Sequence, residues 1–237
     1  MPNQENALTP APMNAVVPAF IADADASKGN ENVTAQDLLL PTIKLLQALS
    51  PMVQEDNADY IEGARPGLMV NTLTADLYTD MFVIPVHFIT EWTVFIKREM
   101  RGDGPVKFGS FATEEDAMTA LVEKGEDPSR YNIVKTARHT VFVLDEAGNK
   151  VTEALIFMDS TKLQTSNKWN SQIRLTGRPR YAGIWKLTSR RQSNNQGSWY
   201  NFDIAWFGYV ASEELYRSAE SLCEDMSQGT IRVDADE

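Results

Sequence analysis

Apolar residues along this chain recur with two different spacings, and the alternation between them outlines a fold. In the centre, "FVIPVHFI" (82–89) and "EWTVFIKR" (91–98) are rich in β-branched and aromatic residues and predict two strands. "YNIVKT", "HTVFVLD" and "VTEALIFM" predict three more, the last two joined by a hairpin turn at "EAGN". "YAGIWKLTSR" and "SWYNFDIAWFGYV" predict a second hairpin around "QSNNQG". Between the first two strands and the third, "RGDGP" reads as a turn.

Helical spacing appears in four places. "TEEDAMTALVEKG" opens on Thr113, with Asp116 in capping-box position, and stops at Gly125. "SEELYRSAESLCEDMSQG" has Ser212 as its cap, Glu213 and Glu214 in the first turn, and Leu215, Ala219, Leu222 and Met226 on one stripe. "STKLQTSNKWNSQIRLTG" predicts a helix capped by Ser160 and stopped by Gly177. "TAQDLLLPTIKLLQALSP" predicts one capped by Thr34, with Pro41 kinking or starting it. About seven strands with two or three intercalated helices predict a mainly β, α+β fold or a small elaborated barrel.

The ends differ from this body. Residues 1–33 mix Pro, Ala, Asn and Asp without periodicity and predict a disordered N-terminal arm. One domain is predicted over 34–229, followed by a short acidic tail over 230–237. No apolar run approaches the roughly 18 residues that span a bilayer, and no export signal is evident, so a soluble cytoplasmic protein is expected. The single cysteine, Cys223, excludes an internal disulfide and fits a reducing compartment.

Charge changes the picture. The chain carries 33 acidic and 22 basic residues, a formal charge of −11. Yet no Asp or Glu occurs from Ser160 to Phe202, where Lys162, Lys168, Arg174, Arg178, Arg180, Lys186, Arg190 and Arg191 all fall. An acidic protein repels nucleic acid at long range unless positive charge is concentrated locally, and this stretch concentrates it.

Strand alternation assigns faces. Tyr200, Phe202, Ile204, Trp206 and Val210 should point inward, with Tyr181, Trp185 and Leu187 from the opposite strand. Lys186, Arg190, Arg191 and Trp199 should then stand together on the outward side, flanked by Lys168, Trp169, Arg178 and Arg180. Cations beside an exposed ring suit a single-stranded polynucleotide: the charges meet phosphates and the bases stack without regard to sequence. Phe95 and Lys97 share a strand face and form a second candidate, with Arg101, Lys107 and Phe108 following. The acidic end either competes for such a basic surface, recruits partner proteins, or simply solubilises.

Three segments carry a resemblance: "ALIFMDSTKLQTSNKWNSQI", "GIWKLTSRRQSNNQGSWYNF" and the tail "VDADE". Together the chain resembles phage-encoded single-stranded DNA-binding proteins of the T7 type. The resemblance implies an OB-like β-barrel, a basic aromatic groove and an acidic C-terminal end. The tail here lacks the terminal aromatic residue of that type, and the N-terminal arm is additional.

Catalytic chemistry finds little footing. His87 and His139 lie in strand-like segments without metal-ligand spacing, and structural roles are expected for both. No phosphate-loop, zinc or nucleophile-elbow pattern occurs. Asp145, Glu146, Glu153, Asp159 and Lys162 are the only group suggestive of a metal-dependent nuclease, without clear clustering. A non-enzymatic protein needing no cofactor is therefore expected. It would bind single-stranded DNA without sequence preference during phage replication or recombination in the host cytoplasm, as a monomer or a homo-oligomer. A virion structural or assembly protein and a single-strand annealing protein are the alternatives.

Overall fold

The structure, a computed structural model, describes residues 28–29, 31–32, 39–102, 105–195 and 197–228. Every element below lies in one compact unit, Leu39–Glu237. The predicted arm, apart from turns at 28–29 and 31–32, and the predicted tail lie outside the described residues, as does part of "RGDGP".

The two central strands are one. Strand β4 runs unbroken over Met81–Ile96, because its apolar alternation continues through Thr90. Pro85 cannot donate to a ladder, and the register shifts between Pro85 and His87, so a bulge absorbs it. Strand β6 (Tyr131–Leu144) likewise merges two predicted strands and pairs antiparallel with β4 along its length. On its other side β4 divides its edge. Met81–Val83 pairs with β8 (Gly183–Asn194), and Trp92–Phe95 pairs with β5 (Lys107–Phe111), a strand the sequence pattern did not reveal.

Strand β7 (Lys150–Asp159) adds to β6, and β9 (Gly197–Tyr209) adds to β8, giving the order β7-β6-β4-β8-β9 with β5 beside β4. All ladders are antiparallel, so the outermost strands β7 and β9 point the same way. They do not pair with each other, and the sheet is open.

A second sheet comprises β1 (Ile43–Leu45), β2 (Met69–Asn71) and β3 (Leu77–Tyr78). The predicted helix around Pro41 is not formed there, and its cap Thr34 lies outside the described residues. Ile43 and Leu45 are buried while Lys44 is exposed, a period of two. The Pro41 carbonyl accepts from the Leu155 N–H at 2.8 Å, and Thr42 bridges Leu155 in parallel. Tertiary pairing with the edge of β7 overrides the local helical spacing.

Three helices complete an α+β protein that is mostly β. In α1 (Glu114–Glu123) Thr113 Oγ1 accepts from the Asp116 N–H at 3.0 Å. In α3 (Glu213–Ser227) Ser212 Oγ accepts from the Leu215 N–H at 3.2 Å. Helix α2 (Leu163–Leu175) departs from expectation: a 3-10 turn over Ser160–Lys162 precedes it, and Ser160, at φ 46°, does not cap it.

Helix α2 packs against both β7 and β9 and plugs the opening between them. Its Trp169 and Ile173 join Val83, Val141, Ile156, Leu187 and Phe202 in the main core. Helix α3 covers the other face through Ala219 and Leu222 against Ile84, Val86 and Phe142, with Cys223 packed half-buried beside them. Helix α1 makes a separate small core on Val94.

Candidate functional site

The β8–β9 register sorts the basic hairpin. Arg190 pairs with Asn201, and Gln192 with Trp199, on the face that also carries Lys186 opposite Ala205. Arg191 pairs with Tyr200 and therefore projects from the opposite face. Three of the four side chains expected together share a side, and Arg191 does not. Its guanidinium donates instead to Ser198 Oγ at 3.2 Å. Trp199 is half-buried, and its Nε1–H donates to Gln192 Oε1 at 3.0 Å.

Folding brings acids to this acid-free stretch. Lys186 Nζ lies 2.8 Å from Asp80, Lys162 Nζ 2.9 Å from Asp159, and Arg190 a looser 3.9 Å from Asp203. Lys168 is exposed on α2 and shares a narrow cleft with Arg190. Arg174 and Arg178 are exposed at the far end of the helix, and neither forms an ion pair with a described residue.

Two expected contacts are withdrawn by burial. Trp169 has no exposed surface: it stacks on His139 at 4.6 Å between ring centroids and meets Trp185 edge-on at 6.2 Å. A ring enclosed in the core offers no face to a base. Arg180 turns inward, bonding Asn170 Oδ1 and sitting 5.3 Å above the Phe88 ring. Burial lowers its pKa to about 10, and its Nη1 has no partner. Conversely Trp206, expected in the core, is 41% exposed.

The larger concavity lies elsewhere. A cleft of about 560 Å3 crosses the outer face of β4, β6 and β7 between β1 and β5, lined by Phe95, Lys107, Thr136, Phe157 and Lys44 among others. A second, of about 350 Å3, shares Thr42, Lys44, Phe157 and Asp159 with it and continues to Lys162 and Phe202. The two form one groove. Two of its carboxylates are balanced: Glu91, nearly buried, lies 3.3 Å from Arg138, and Asp159 is held by Lys162, while exposed Asp59 lines the far end. Lys97, half-buried at the end of β4, anchors the rim through its N–H on the Arg130 carbonyl at 2.8 Å.

Of the expected residues, Phe95 and Lys162 therefore line one groove, Lys168 and Arg190 a separate cleft, and Arg174 and Arg178 the end of α2. Lys44 and Phe157 were missed. Phe157 was legible: Ala154, Ile156 and Met158 set the inward phase of β7, so an aromatic at 157 points outward. Lys44 was hidden by the helical reading of its segment.

The histidines are structural in this geometry. His139 is enclosed, with Nε2 2.8 Å from Ser166 Oγ; burial and then the Arg180 charge push its pKa down to about 3. His87 is lowered by burial, then by Arg138 and Arg180. The acids considered for metal chemistry bind neighbours: Asp145 accepts from Asn149, and Glu153 from Lys150.

Fold and groove together define an α+β protein built on an open antiparallel sheet, with one extended concavity across its outer face. A family model described as Pam3 phage gp34-like protein matches residues 7–232, and the chain belongs to that phage protein family. No curated protein and no solved structure matches it. Among the described residues no helix is long and apolar enough to cross a membrane.

Proposed function

We propose that this phage protein binds single-stranded DNA without sequence preference and acts by binding alone, in replication or recombination. The observation that carries the reading is the position of the groove on the strand path. The order β7-β6-β4-β8-β9, with a helix joining β7 to β8 and same-direction outer strands, follows the route of a partly open OB barrel. OB folds hold oligonucleotides on the face of their second and third strands and the adjoining loops. Here those strands are β6 and β7, and Phe157, Thr136 and the β5 segment line the groove there. Half-exposed Phe95 and Phe157 supply flat rings for bases, and Lys44 and Lys107 supply charge for phosphates.

An electrophoretic shift comparing single-stranded DNA, duplex DNA and RNA over a salt series tests this. Preference for the single strand, with affinity falling steeply as salt rises, is the expected result. Equal indifference to all three polymers at low salt would end the proposal. A complementary-strand annealing assay then separates a coating protein from an annealing one.

A further inference from the structure

The last third of β9 carries rings that neither the groove nor the hairpin uses. Trp185 pairs with Trp206 but Ile184 pairs with Gly208, so Phe207 is an extra residue in β9. A bulge of this kind re-aims side chains. Trp206, before the bulge, lies on the Trp185 face, and Tyr209, opposite Gly183, returns to it; they are 41% and 58% exposed, whereas Phe207, 62% exposed, turns to the opposite face against Phe82.

The rings are held rather than loose. Trp206 meets Trp185 edge-on at 5.2 Å and Tyr209 at 5.0 Å, while Phe207 leans on Phe82 at 4.6 Å. The Trp206 ring lies so close over Gly183 that a Cβ there would collide with it. Tyr209 lines a cleft of about 400 Å3 with Arg178 and Tyr216. Arg178 and Arg174 are exposed, and neither is paired with a carboxylate among the described residues.

Contiguous exposed aromatics on a soluble domain mark a contact surface. Fixed rings beside guanidinium groups fit a ligand that is both planar and anionic. A second copy of the chain fits less well, since it would bring a body of formal charge −11 against its twin. The cations also connect this end to the rest: Lys168, beside Arg190, and Arg174 lie on α2, which leads to Arg178.

We infer that Trp206 and Tyr209, with Arg178, form a second stacking platform for single-stranded DNA, separate from the groove, so that one molecule engages a long strand at two places. The inference rests on the function proposed above. The test is fluorescence titration of full-length wild type, Tyr209→Ala, Trp206→Ala and Gly183→Ala with oligo-dT of increasing length. Gly183→Ala displaces the Trp206 ring without removing it; should it fail to fold, Tyr209→Ala, at an exposed position, carries the comparison.

Short oligonucleotides should bind all variants alike, while long ones should lose roughly tenfold in affinity and occupy fewer nucleotides per molecule. Wild-type binding with no difference among variants at any length overturns the platform and leaves the groove reading intact. Absence of wild-type binding overturns both. A change from oligomer to monomer on sedimentation of Tyr209→Ala, with DNA affinity unchanged, assigns the rings to a subunit interface and also overturns the inference.

Discussion

The side chain of Gln47 pairs with the backbone of Tyr200 as a strand would: Nε2–H donates to the Tyr200 carbonyl at 2.9 Å, and Oε1 accepts from the Tyr200 N–H at 2.8 Å. Nearby, Ser189 Oγ donates to the Gly67 carbonyl at 2.5 Å. Gly67 sits at φ 94°, and a Cβ there would fall 2.6 Å from the Tyr200 ring. These contacts fasten the small sheet to the free edge of β9.

Gln47→Ala leaves both Tyr200 backbone groups without their partner. A loss of about 1–3 kcal/mol is expected in urea denaturation. Gly67→Ala, which adds a backbone penalty to a collision, should destabilise as well.

Stability should depend on pH through His139. The unfolded imidazole protonates near its ordinary 6.5, whereas the folded one resists down to about 3. The stabilisation is therefore fully present above pH 6.5 and is lost as pH falls towards 3. Below 6.5 the slope from this group approaches about 1.4 kcal/mol per pH unit. Denaturation from pH 7 to 4 should show His139→Gln with a shallower pH dependence than wild type, whatever its absolute stability.

Binding in the groove should depend on Phe157 and Lys44. Phe157→Ala should weaken oligo-dT binding by roughly 5- to 100-fold. Lys44→Ala should reduce the magnitude of the salt slope by about one. Unchanged thermal melting of both variants would exclude unfolding as the cause.

Trp169 should matter for folding and not for contact. Trp169→Ala is expected to cost about 3–5 kcal/mol, from the cavity left beside His139 and Trp185. The milder Trp169→Phe should retain oligo-dT affinity in the same titration.

What the sequence revealed and what it concealed follow from the range of the interactions involved. Thr113 and Ser212 cap their helices through bonds spanning three residues, so both helix starts were legible. Merged strands were not, because β4 and β6 extend each other's ladder from opposite ends of a 14-residue pairing. The acid-free stretch was a genuine pattern, but Asp80 reaches Lys186 only through the β4–β8 contact. Alternation placed Trp206 on the correct face, opposite Trp185, but not its 41% exposure there over Gly183, nor the bulge at Phe207 that ends the alternation. Burial of Trp169 depends on α2 filling the gap between β7 and β9, a tertiary fact.

The sixteen-residue strand β4 serves three cores of unequal size. Its first half lies between the large clusters, while its far end meets Ala117 and Leu121 of α1 and half-buried Phe108, Phe111, Tyr131 and Ile133 of β5 and β6. Amide hydrogen exchange should therefore divide this one strand: slow protection at Val83 and Ile84 reporting global opening, and faster exchange near Val94 reporting a local one. The wall of the groove formed by β5 belongs to the faster part, so the groove can widen without unravelling the body.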